Sequence, residues 1–151
     1  MKKQSASFWF LQTSGWLFAV YLLYAQAIPA IDYEYGVAMG TQEPATQITE
    51  VGAAFWYGFA FGDAVFYIPL LIVGLVAFAQ GRDWGRGVLI AAMGITVYWP
   101  IVCLSAIVAA RGAPGWSLPK ESDYRVVLPL IALWGAWGLW WLVSGSKRPS
   151  G

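Results

Sequence analysis

Residues 51–80 read VGAAFWYGFAFGDAVFYIPLLIVGLVAFAQ, a run in which Asp63 is the only charged side chain. At about 1.5 Å of rise per residue, a helix of this length exceeds the roughly 30 Å of hydrocarbon in a bilayer. Working outward from it, residues 8–30 on one side and residues 87–110 and 126–145 on the other carry no charge at all. None of these runs alternates polar and apolar residues with period two, which excludes a membrane β-barrel; in lipid the remaining way to satisfy the backbone is a helix. The expected fold is therefore all-α, an integral-membrane four-helix bundle running up-down-up-down, with spans of about 8–30, 51–79, 87–110 and 126–145.

Composition agrees. The 151 residues are 59% hydrophobic and 11% charged, whereas soluble domains carry about 25% charged residues. The length suits one domain, 1–151, and not two. With no histidine and one cysteine, a haem or zinc site held by histidine, a Ser-His-Asp triad and an internal disulfide are ruled out, and no metal or cofactor is called for. A net charge of +1 gives no reason to expect nucleic acid as a partner. Lys2 and Lys3 before an apolar run ending Ala25-Gln26-Ala27 imitate a secretory signal, but the run is longer than a typical signal core and contains Gln12, Thr13 and Ser14, so an uncleaved helix is expected.

Basic residues set the expected orientation. Lys2, Lys3, Arg82, Arg86, Lys147 and Arg148 fall on one side, Arg111, Lys120 and Arg125 on the other, which puts both termini in the cytoplasm of a cell with the chain in its plasma (inner) membrane. The loop from Asp32 to Glu50 has four acids and no lysine or arginine; its tyrosines suggest that it beds on the membrane surface. Thr49 is placed to cap the second helix, and Ser122-Asp123 the fourth. Trp84 and Trp116 fall at the two water boundaries.

Chemistry centres on Asp63. A carboxyl group in hydrocarbon costs several kcal/mol and calls for a partner. Counting equal depths inward from Gly52, Ala110 and Val126 reaches Asp63, Trp99 and Trp137 at roughly 16 Å, so one mid-depth layer is expected to gather Asp63, Tyr67, Tyr98, Trp99 and Trp137. Pro69 and Pro100 should kink their helices and free the carbonyls of Val65 and Thr96. Asp63 then has a neutral reading, a donor bonding to Tyr98, Trp137 or a freed carbonyl, and functional ones: the titrating group of a small transporter, a ligand-recognising group, or a contact for a partner.

Gly58 and Gly62 form a G-x-x-x-G pair, expected to pack within the chain in preference to a homodimer, with Asp63 turning that face inward. In the fourth span, Trp134, Trp137 and Trp141 share a face while Gly135 and Gly138 leave notches beside them. Rings next to notches make either a tight helix seam or a slot for a flat apolar molecule such as a lipid, sterol, quinone or pigment.

Three functions follow as expectations. The leading one is a non-catalytic multi-pass membrane protein that packs against a partner subunit or an apolar ligand. The second is a small proton-coupled transporter using Asp63, and the third a membrane-embedded lipid-modifying or isomerising enzyme, which a lone acid without a second titratable group disfavours. A cavity reaching Asp63 would favour transport, a dry slot beside Trp137 ligand binding, and a featureless outer face an accessory subunit.

Overall fold

The computed structural model describes residues 4–145. Lys2, Lys3, Lys147 and Arg148, which contribute to the expected orientation, lie outside the described residues. Four helices are long and apolar enough to cross a membrane: Ala6–Ile31, Ala45–Ala79, Asp83–Ala109 and Glu121–Ser144. The chain is a multi-pass membrane protein with the all-α bundle expected of its sequence.

All four helices start earlier than the expected spans. Asp83 lies in the first turn of the third helix, Glu121 and Asp123 in that of the fourth. Acids there complement the exposed N–H groups of a helix start, so charge marks the edge of the hydrocarbon and not the end of the helix. Thr49 caps the main part of the second helix as expected: its backbone leaves helical geometry (φ 66°) and its hydroxyl accepts the Gly52 N–H at 3.3 Å. A single turn beginning at Ala45 precedes it.

Glycines set how closely the helices approach. A Cβ on Gly15 would lie 2.8 Å from the Leu75 side chain, joining the first and second helices. Gly74 lies against the Leu89 backbone, and Gly85 against Ala77 and Phe78, joining the second and third. Gly135 and Gly138 meet Thr96 and Met93, joining the third and fourth. The notches of the tryptophan-rich helix are thus a seam with the third helix, not a slot. The first and fourth helices meet through rings: Phe18 on Trp134 at 5.3 Å, Phe10 on Trp137 at 4.9 Å, and the Trp134 indole donating to Ser14 Oγ at 2.9 Å. Leu11, Leu71, Leu75, Leu89 and Met93 fill the main core, and a smaller cluster of Ile48, Ile107, Leu118 and Leu128 closes the opposite end.

Gly58 and Gly62 correct an expectation. Both are exposed, and a Cβ on either would meet nothing within 4 Å. Ala60, Asp63 and Tyr67 form the buried face of this helix; at 100° per residue Gly62 lies a quarter-turn away from Asp63, and Gly58 further still. An inward acid therefore turns this glycine pair outward. Replacing either glycine by leucine is expected to change stability by less than about 1 kcal/mol, measured by denaturation in micelles.

The loop after the first helix is packed against the bundle end. It folds into a short helix, Tyr33–Ala38, capped by Asp32, whose Oδ1 accepts the Tyr35 N–H at 2.9 Å. Gly36 then rests on Pro29, and the chain returns over the bundle end with Gln42 and Glu43 buried.

Candidate functional site

Two irregular turns shape the interior. The first helix widens into a π turn over Leu23–Ala27 and the second over Asp63–Tyr67. Each ends two residues before a proline, Pro29 and Pro69. A proline supplies no N–H to the carbonyl four residues back, and its ring presses on that carbonyl. Widening the helix by one residue relieves the clash, and the Ile68 N–H bonds to the Asp63 carbonyl, five residues back. The simple kink expected at Pro69 is replaced by this π turn. At Pro29 the bereft carbonyl is that of Ala25, and the buried Gln42 side-chain amide donates to it at 2.9 Å. Pro100 sits inside an unbroken third helix, with Gly135 pressed against Thr96, whose carbonyl it was expected to free.

Between these turns lies a cavity of about 370 Å³. Its floor is Asp63, with Trp99 and Cys103 from the third helix and Trp56 and Phe59 from the second. Its upper walls are Tyr124 of the fourth helix, Lys120 just before that helix, and the returning Met39–Glu43 loop. Lys120 Nζ donates to the Gly40 carbonyl at 3.2 Å and the Tyr124 hydroxyl to Glu43 Oε1 at 3.0 Å, so both tie the loop to the fourth helix. The Tyr33 hydroxyl donates to the Glu43 carbonyl at 2.8 Å. Burial, with the charges of Glu43 and then Glu34 adding to it, pushes the Tyr33 phenol up to about 12, so it keeps its proton and remains a donor at neutral pH.

Asp63 is 8% exposed, and among the described residues nothing donates a hydrogen bond to its carboxyl group or pairs with it. The nearby Tyr67 hydroxyl is already committed. Thr96 Oγ1 gives its proton to the Ala92 carbonyl at 2.9 Å, so in the contact between Tyr67 and Thr96 the phenol must be the donor. Thr96→Val would strand that buried phenol and is expected to lower stability by about 1–2 kcal/mol; an unchanged unfolding midpoint would show that Tyr67 has another acceptor. No family model, curated protein or solved structure matches the chain.

Of the residues expected in one layer, the structure brings Asp63 and Trp99 together as cavity wall, with Tyr67 buried below them. Tyr98 is 67% exposed and points away. Thr96, Pro100 and Cys103 occupy the inner face of its helix, and a residue two positions from Thr96 falls on the opposite side. Trp137 does not line the cavity; it stacks on Trp141 with centroids 6.2 Å apart and meets Phe10 nearly at right angles. Trp134 borders a separate shallow groove on the outside, between the first and fourth helices. The reading from sequence passed over Glu43, Trp56 and Tyr124. Glu43 and Tyr124 are 81 positions apart, and no periodicity links them.

Proposed function

We propose that this multi-pass membrane protein binds a small molecule in the cavity above Asp63. Of the two occupants the sequence leaves open, a partner subunit and a small ligand, the geometry favours the ligand, at Asp63 and not at Trp137. The observation that carries this reading is a buried carboxyl group with no partner among the described residues, facing space of a size usual for small-molecule sites, about 300–1,000 Å³. An uncompensated acid in hydrocarbon is costly, and groups kept at such cost serve binding or transport by default. Native mass spectrometry of the gently purified protein is expected to show a small molecule bound at one per chain, and the Asp63→Asn variant to have lost it. A protein that emerges empty, and whose melting temperature no small molecule in a broad panel raises, would refute the reading.

The second reading, a proton-coupled transporter in the plasma membrane, is favoured by the depth of the cavity. It extends from the loop end of the bundle, at Lys120 and Asp123, to a titratable group in mid-helix. Alternating access needs a site of this kind. In proteoliposomes carrying a pH gradient, wild-type protein would then move protons together with its solute and Asp63→Asn would move neither.

A further inference from the structure

The same cavity carries information about the charge and shape of its occupant. Three acids, Glu43, Asp63 and Asp123, face it against one lysine. Lys120 is tethered to the Gly40 carbonyl, and the ion pairs among the described residues, Arg111–Glu121 and Arg125–Glu121, leave all three acids out. The floor joins the unpartnered Asp63 carboxyl group to the rings of Trp56, Phe59 and Trp99. Aromatic faces attract cations, most effectively away from water. A metal ion is a poor fit, because among the described residues no three acidic or sulfur ligands converge. A weakly hydrated organic ammonium needs only one counter-ion and surrounding rings.

The cavity also has a side wall. Tyr21 of the first helix and Val127 and Ile131 of the fourth line it, and the same three residues line the shallow outer groove that continues past Leu17, Phe18 and Trp134. That groove is almost wholly apolar and opens on the outside of the bundle, the side that lipid covers in a membrane-spanning bundle. The two helices that flank it touch through side-chain rings, so the partition between cavity and lipid is side chains alone, and Tyr21 is half exposed within it.

Building on the small-molecule reading above, we infer that the occupant is a single-chain cationic amphiphile, an ammonium head above Asp63 with an alkyl tail passing Tyr21 into the groove between the first and fourth helices. Access is from the membrane, sideways. The ammonium replaces the missing partner of Asp63, and the tail covers the groove of Leu17, Phe18 and Trp134.

The test is saturable binding of radiolabelled decyltrimethylammonium to the purified chain in maltoside micelles, with protein-free micelles subtracted. Tetramethylammonium, decyl sulfate and decanol serve as competitors. One site per chain is expected, with each competitor at least tenfold weaker than unlabelled decyltrimethylammonium. Asp63→Asn should weaken binding at least tenfold without lowering the melting temperature. Ile131→Trp, which fills the passage, should bring the decyl and tetramethyl compounds within about twofold of each other. Decanol competing as well as the ammonium would overturn the inference on charge, and tetramethylammonium competing equally in wild type would overturn the tail; both outcomes leave the binding reading standing. If none of the four probes binds saturably, the inference falls and the binding reading loses its support at this site.

Discussion

Asp63→Leu is expected to make the protein more stable by about 3–4 kcal/mol while removing the proposed binding of a small molecule. An aspartate in mid-helix costs roughly 2.5–3.5 kcal/mol on membrane-insertion scales relative to zero, and a leucine there is mildly favourable. In this bundle the acid recovers none of that cost from hydrogen bonds or ion pairs among the described residues. The cavity beside it leaves room for the larger apolar side chain. Reversible unfolding in mixed micelles measures the change. A variant less stable than wild type would mean that the carboxyl group is an interhelical fastener, the neutral-donor reading raised from the sequence. Stability gained as binding is lost is the pattern expected of a residue retained for function.

The opposite sign is expected at Gly85→Val, which should lower stability by about 3 kcal/mol or more. A Cβ there would lie 2.6 Å from the carbonyl carbon of Ala77 and the amide nitrogen of Phe78. Those are backbone atoms on the neighbouring helix, held by the tight turn through Gly81, so no side-chain rotation relieves the contact. The clash would separate the second and third helices where they also touch at Gly74 and Leu89. Gly94→Ala is the control, since nothing lies within 4 Å of its new methyl group and alanine favours a helix by up to about 1 kcal/mol over glycine. If both variants unfold at the wild-type midpoint, the close approach at Gly85 does not exist in solution.

The sequence shows its spans because uncharged length is a one-dimensional property, and the depth of Asp63 is legible for the same reason: residues can be counted from an end. Direction around the helix is harder to read. Tyr98 shares the approximate depth of Asp63, but its side chain leaves the opposite face of its helix, and Gly58 and Gly62 turn out while their neighbour turns in. Strongly apolar helices in lipid lack the polar side that reveals the inward face of a soluble helix. The upper wall of the site was hidden for another reason. Gln42 on Ala25, Tyr124 on Glu43 and Lys120 on Gly40 join distant segments, and each depends on a loop whose path no local pattern fixes. Pro69 pointed to a disturbance in its helix, whereas Pro29 passed unremarked; whether such a disturbance becomes a bend or a widened turn is decided by what can reach the stranded carbonyl.

Those two widened turns have an evolutionary corollary. Each holds one residue more than a regular ladder of four-residue steps requires, and the extra residue is absorbed locally, so the stretches before and after it stay in phase. Shortening the chain by one residue within 23–27 or 63–67, with the proline that follows also replaced, would let an ordinary helix close over the gap with Leu11 and Leu71 still directed at the same neighbours. The same deletion elsewhere in a crossing segment would swing everything beyond it by about 100° and place core leucines against lipid. Natural length variation among descendants of this chain is therefore expected to concentrate in these ten positions, beside the acid, where a change of length also reshapes what the pocket admits.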